Sequence, residues 1–260
     1  MPSQVRTTVQ RSVRVPKKHQ PLGFEILYED SDLIIGNKAP GYLTVAALWE
    51  RENTIHHILN SYVRKGSSHS KKCVFVVHRL DQATSGVLIF AKTPEAQQFL
   101  KEDWRSTEKI YFAIVHGKLK KKRGLISSYL SEDEDYMVHS SADSERGKLA
   151  ETEYEVVKES SLYSLVKIHL LTGKKNQIRV HLAGEGHPIV GDTKYGAGKK
   201  DDLKNAKSIR AKSMGSKLVT SKPLMLHSYS VTLTHPFTRK RLRVQAEVPA
   251  YFNQLVSYQY

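Results

Sequence analysis

Arg79 and Asp81 are the residues whose chemistry sets the question. They stand in Val76-Val77-His78-Arg79-Leu80-Asp81-Gln82-Ala83-Thr84-Ser85-Gly86-Val87-Leu88-Ile89-Phe90-Ala91. A carboxylate can serve as a nucleophile, and a guanidinium can stack on a planar ring or pair with phosphate. Both lie on a short connection between two apolar runs, Val74 to Val77 and Val87 to Ala91, each of strand length. Loops held by rigid flanking elements are where chemistry tends to sit. An Asp close to a Gly is by itself a turn residue, so the rest of the chain must decide.

Two more stretches carry candidates. Glu108-Lys109-Ile110-Tyr111-Phe112-Ala113 opens a strand predicted from Lys109 to His116, with Ile110, Phe112 and Ile114 on one face and Tyr111, Ala113 and Val115 on the other. In Leu171-Thr172-Gly173-Lys174-Lys175-Asn176-Gln177-Ile178-Arg179-Val180-His181-Leu182-Ala183, Gly173 breaks a strand. Asn176 to Ala183 then reads as a short helix stopped by Gly184 and Gly186. Ile178 and Leu182, four apart, face the core, and Arg179 points elsewhere.

His78-Arg79-Leu80-Asp81, two free positions, then Thr84-Ser85-Gly86 resembles the signature of the RluA-type pseudouridine synthases. The Tyr111 and Arg179 stretches resemble that family's second and third motifs, with Lys174 in place of an Arg and Asn176 in place of a His. The resemblance runs from about Leu22 to Pro249. It implies Asp81 as the catalytic nucleophile, with Tyr111 and Arg179 also catalytic: Tyr111 covers a flipped base and Arg179 is the cation that keeps Asp81 ionised. Arg79 would fill the space that the flipped uridine leaves. His78, Ile178 and Leu182 are further substrate-contact candidates, although core packing is the plainer expectation for the last two. The implied reaction isomerises uridine to pseudouridine and needs no cofactor or metal.

That agrees with the absence of a Gly-rich phosphate loop, a Gly-x-Ser-x-Gly elbow or any zinc-ligand spacing in the chain. Two rivals remain at this stage. A catalytically silent basic RNA-binding protein would not need Asp81, Tyr111 and Arg179 together. An Asp-dependent glycosidase or nucleobase hydrolase of the retaining kind would need a second carboxylate, and none recurs in the three stretches.

Composition bounds the partner. Lys and Arg number 41 against 26 Asp and Glu, a formal net charge of +15, and the pI is near 9.7. Such a balance points to a polyanion, with nucleic acid first. Cys73 is the only cysteine, so no intrachain disulfide can form, which fits a reducing compartment. No segment approaches the ~18 apolar residues of a membrane span, and no apolar run follows the basic N-terminus as in a secretory signal.

The expected organisation is a basic extension over residues 1–21, disordered, followed by a catalytic domain over 22–260 with no separate RNA-binding module ahead of it. Ile26-Leu27-Tyr28 and Leu33-Ile34-Ile35 read as strands joined by the acidic turn Glu29-Asp30-Ser31-Asp32, and Asn37-Lys38-Ala39-Pro40-Gly41 closes the second. Glu52 to Tyr62 reads as a helix, and Thr93-Pro94 starts another. Alternation at 152–156 and 165–170 predicts neighbouring antiparallel strands, and residues 194–222 form a long basic loop. The fold expected is α+β, a mixed and largely antiparallel sheet with packed helices and an RNA-binding cleft. The partner expected is ribosomal or transfer RNA, with no membrane and no metal, for a cytoplasmic monomer.

Overall fold

Among the described residues, alternating and continuous apolar runs become eleven strands, and three stretches become α-helices. In chain order they are β1 (Phe24–Glu29), β2 (Leu33–Lys38), α1 (Ile55–Val63), β3 (Phe75–Val76), β4 (Ser85–Ala91), α2 (Pro94–Glu102), β5 (Glu108–His116), β6 (Arg123–Glu132), β7 (Val138–Ser141), β8 (Lys148–Glu159), β9 (Tyr163–Leu170), α3 (Gln177–Gly184), β10 (Leu226–Thr234) and β11 (Arg241–Gln245). This computed structural model describes residues 19–47, 50–65, 67, 69–196 and 223–257. Most of the basic N-terminal extension, and the basic loop from residue 197 onward, lie outside the described residues. The described part divides into two compact units, one of residues 19–108 and 228–247, the other of 109–196, 223–227 and 248–257.

In the first unit β1 pairs with β2 and β2 with β4, both antiparallel, while β10 lies beside β4 and pairs antiparallel with β11. All seven residues of β4 are buried, which is why its sequence shows no alternation. Leu33, Ile35, Val87, Ile89, Leu100, Val231, Leu233, Leu242 and Val244 form one core. Each such side chain contributes about 1.5–3 kcal/mol on burial. Thr93 caps α2 by accepting from the Ala96 N–H, and Pro94 fills the first helical turn. Thr54 caps α1 in the same way through the His57 N–H. Gly86 has φ +110°, and a Cβ there would lie 2.1 Å from the Ser228 carbonyl oxygen, so β4 and β10 meet backbone to backbone at the start of β4.

The second unit is an antiparallel ladder in the order β5, β9, β8, β6, β7, with α3 packed against β7 and β8. The α+β class and the largely antiparallel pairing agree with the sequence reading. Three details differ. The run Val74 to Val77 supplies a strand of only two residues, Phe75–Val76, both partly exposed. β5 is buried on both faces from Lys109 to Val115, where the sequence reading gave the two faces without their burial. β6 and β7 were not predicted: β6 alternates with small polar residues and an exposed Leu125, which hides its period. No helix among the described residues is long and apolar enough to cross a membrane.

Candidate functional site

Asp81 sits in the turn that joins β3 to β4. Its carbonyl accepts from the Thr84 N–H at 3.1 Å, a tight turn built from Asp81-Gln82-Ala83-Thr84. Both neighbours in sequence are fixed by the segment after β2. The Thr44 hydroxyl donates to the Leu80 carbonyl at 2.9 Å and accepts from the Leu80 N–H at 3.1 Å. The Gln82 carbonyl accepts from the Gly41 N–H at 2.8 Å and from Lys38 Nζ at 3.1 Å, while Gln82 Nε2 donates to the Gly41 carbonyl at 2.9 Å. Four hydrogen bonds therefore hold the backbone on either side of Asp81 and a fifth holds the Gln82 side chain, while Asp81 itself stays partly exposed.

Lys38 ends β2 with its side chain fully buried. Its ammonium donates to the carbonyls of Ala39, Tyr42 and Gln82 at 3.1, 2.9 and 3.1 Å. Three acceptors around one nitrogen match the three N–H groups of an ammonium. Burial pushes its pKa down to about 7, and the negative charge of Asp81 opposes that fall. The charges of Lys38 and Asp81 are thus close enough to interact. The sequence reading gave it no role and took Asn37 to Gly41 as a closing turn. One signal was present: Ile34, Gly36 and Lys38 share a strand face, and a charge in phase with a buried face needs a partner.

The other candidates of this unit differ in kind. Arg79 is exposed, with no hydrogen bond or ion pair among the described residues, so its guanidinium is available to a ligand. His78 is engaged: its Nε2 accepts from the Ile89 N–H at 3.1 Å and its ring stacks on Trp104 at 4.7 Å. It ties the strand before Asp81 to β4, so positioning explains it better than substrate contact.

In the second unit Tyr111 lies within β5, opposite Ile168 of β9, at 7% exposure. Helix α3 starts after Asn176, which holds the left-handed conformation at φ 53°. Gln177 locks that start: its Oε1 accepts from the Thr172 hydroxyl and the Lys174 N–H, and its Nε2 donates to the Glu151 carbonyl and the Thr152 hydroxyl. Leu182 is fully buried and Ile178 is 6% exposed, so both belong to the packing of α3. Asn176 has a structural use, since its Oδ1 accepts from the Tyr195 hydroxyl at 3.2 Å.

Arg179 is clamped by Asp192, with Nε donating to Oδ2 at 2.7 Å and an Nη to Oδ1 at 2.8 Å. Asp192 Oδ1 also accepts from the N–H groups of Lys194 and Tyr195 at 2.9 and 3.0 Å. The side chains are 11% and 0% exposed. Burial alone would raise the Asp192 pKa, but the bonds and charge of Arg179 and the two N–H groups hold it below the ordinary carboxylate value. The sequence reading did not foresee this pair.

Among the described residues, Asp30, Asp32 and His235 form a group close enough to share a cation. Asp30 is already committed there: Oδ1 accepts from the N–H groups of Asp32 and Leu33, and Oδ2 from the Tyr28 hydroxyl and His235 Nε2. This is a clasp between β1 and β10, not an open metal centre.

The family model for RNA pseudouridylate synthase matches residues 32–184, which span the Asp81 turn, Tyr111 and Arg179. The chain is 32% identical over 247 residues to ribosomal large subunit pseudouridine synthase D of Blochmanniella floridana, covering 92% of this chain and 73% of that one. It is 33% identical over 216 residues to the dual-specificity RNA pseudouridine synthase RluA of Yersinia pestis, covering 81% and 92%. Against tRNA pseudouridine synthase C of Haemophilus influenzae it is 30% identical, covering 90% and 96%. The solved structure of human RNA pseudouridylate synthase domain containing 4 aligns at a TM-score of 0.69 and 26% identity, covering 87% of this chain and 89% of that one. A signature turn at Asp81, a family match across the three motif stretches and relatives aligned over most of their length lead to one assignment: the chain belongs to the RNA pseudouridylate synthase family.

Proposed function

We propose that this protein isomerises uridine to pseudouridine in ribosomal or transfer RNA, with Asp81 as its nucleophile. The N1–C1′ bond of the nucleotide breaks, the base turns, and C5 joins C1′. The proton that leaves C5 is balanced by one taken up at N1, so nothing is oxidised or reduced. A stacked uridine must first be flipped out, at a cost of a few kcal/mol. Arg79 suits the vacated space, because a planar cation stacks on bases and contacts phosphate. Asp81 must be ionised to attack, and the Lys38 side chain lies within reach of its charge. Tyr111 and Arg179 are assigned to the same reaction by their motifs, as cover for the base and as a cation.

The observation that carries this reading is the Asp81 turn itself. Four hydrogen bonds to the backbone and one from the Gln82 side chain fix both sides of one partly exposed acid, which is how a nucleophile is held in a reactive orientation. The net charge of +15 supports a nucleic-acid substrate. The decisive experiment is pseudouridine mapping across total RNA with and without the gene, followed by in vitro conversion of the sites that disappear. Loss of one or more ribosomal or transfer RNA sites is expected. Release of free uracil, or an unchanged map, would overturn the reading.

A further inference from the structure

Phe237 is the most exposed large apolar side chain among the described residues, at 79%. A single exposed aromatic is ordinary on a protein surface. This one differs in how it is held and in what flanks it. It lies in the turn between β10 and β11, and His235, buried at 4%, organises that turn. His235 Nδ1 accepts from the N–H groups of Phe237 and Thr238, both at 3.2 Å. Nδ1 being an acceptor, Nε2 carries the proton and bonds Asp30 Oδ2 at 2.6 Å. The Tyr28 hydroxyl fixes the same oxygen at 2.7 Å. Arg239 closes the turn in the left-handed conformation, φ 58°, with its guanidinium 4.0 Å above the Phe99 ring. Phe237 is thus an aromatic ring with two free torsions on a rigid support, and such a ring loses little freedom on binding.

The chemistry around it is one-signed. Arg239, Lys240, Arg241 and Arg243 follow within six residues, and no acid occurs between Phe237 and Ala246. Lys240 and Arg243 are exposed, and their side chains have no hydrogen bond or ion pair among the described residues. An aromatic face beside a run of cations is the combination that binds single-stranded nucleic acid, by base stacking and phosphate contact. The location is remote from Asp81. β10 meets the start of β4, next to the Asp81 turn, at Ser228. From there β10 runs about 20 Å to Thr234 before the turn begins.

We propose that the β10–β11 turn is an RNA-docking platform at the end of this unit opposite Asp81, on which Phe237 stacks an unpaired base while Lys240 and Arg243 hold flanking phosphates. The proposal rests on the RNA reading above and extends it: the enzyme grips its substrate several nucleotides away from the uridine it converts.

The test uses the full chain and a fluorescent oligouridine of about 20 nucleotides as the probe, with affinity read by anisotropy. Phe237→Ala should weaken binding about tenfold, the usual size for one lost stacking contact, and Phe237→Tyr should restore it. Lys240→Ala with Arg243→Ala should weaken binding and reduce the salt slope by about 1.4, two phosphates' worth on a single strand. Turnover of Phe237→Ala at saturating RNA should equal that of the unaltered protein. In the unaltered protein, a 4-thiouridine photocrosslink should fall between Leu233 and Lys240. Affinity of Phe237→Ala within twofold of wild type, no rescue by Tyr, an unchanged salt slope in the basic double variant, lost turnover at saturation, or a crosslink confined elsewhere would each overturn the platform. If the unaltered protein forms pseudouridine in no RNA, the catalytic reading fails, while the anisotropy series still judges the platform.

Discussion

Two carboxylates of this chain, Asp81 and Asp192, are both surrounded by hydrogen bonds, but the bonds fall in different places. At Asp192 they end on the carboxylate: both arms of Arg179 and the N–H groups of Lys194 and Tyr195 converge on oxygens with no exposure. At Asp81 four bonds fall on the backbone of Leu80 and Gln82 and one on the Gln82 side chain, and Asp81 stays partly open. The first arrangement stabilises a structure by satisfying an acid. The second orients an acid for work outside the protein. Hydrogen-bond count around an acid therefore does not separate architecture from chemistry; the exposure left to the acid does.

The comparison breaks most directly at Asp81. Asp81→Asn keeps the size of the side chain and all the backbone bonds of the turn. Pseudouridine formation should fall by on the order of a thousandfold or more, with the melting temperature and RNA affinity close to wild type. Near-normal turnover would end the nucleophile assignment.

Asp192 should behave in the opposite way. Asp192→Asn leaves a buried guanidinium without its counter-charge, and Arg179→Met leaves a buried carboxylate without its cation. Each should cost about 3–5 kcal/mol in urea unfolding. The double variant should cost less than the sum of the two, since the second change removes the charge stranded by the first. Additive costs would mean that the pair is not a unit. A fully folded but inactive Asp192→Asn would move the chemistry to Asp192.

Lys38 sharpens the contrast, because it serves both purposes. Lys38→Met strands three carbonyls and frees the Gln82 side of the turn, so stability should drop by roughly 2–4 kcal/mol, and turnover should drop further than stability alone explains. The pH dependence has a definite sign. The folded pKa, about 7, lies below the ordinary 10.5, so between these values the unfolded chain binds a proton that the folded chain has released. Stability of wild type relative to Lys38→Met should therefore rise as pH increases from 7 toward 10.5. A constant difference across that range would mean that the ammonium is not desolvated.

The smallest effect belongs to His181. It is buried between Ser128 Oγ and Thr152 Oγ1, and burial pushes its pKa down to about 4 from 6.5. The unfolded chain takes up a proton below pH 6.5 that the folded chain refuses until about 4, so stability should fall with acid through that window. The loss should be roughly 1 kcal/mol near pH 5.5 and absent from His181→Gln, as read by thermal melts across pH.

Local chemistry made much of this molecule readable in advance. Thr93-Pro94 announced α2, the two apolar runs around Glu29 to Asp32 announced β1 and β2, and the Asp81 turn carried the family's signature. What stayed hidden depends on distance in sequence. The Lys38 ammonium meets the Gln82 carbonyl 44 residues away, and carbonyl acceptors have no residue type to recognise. Arg179 finds Asp192 across 13 residues of helix end and loop, and no periodicity relates the two. β6 was missed for the reverse reason: its outward face carries Leu125 and its inward face Gly124 and Ser128, so the alternation has almost no amplitude.

Gly86 has a consequence for selection. A methyl group there would collide with the Ser228 backbone at 2.1 Å, and the φ of +110° is costly for any other residue. Both penalties fall on the first residues of β4, directly after the Asp81 turn. In a screen that randomises the chain and scores activity, position 86 should tolerate one amino acid of the twenty. It would rank beside Asp81 as indispensable, although it has no functional group to contribute.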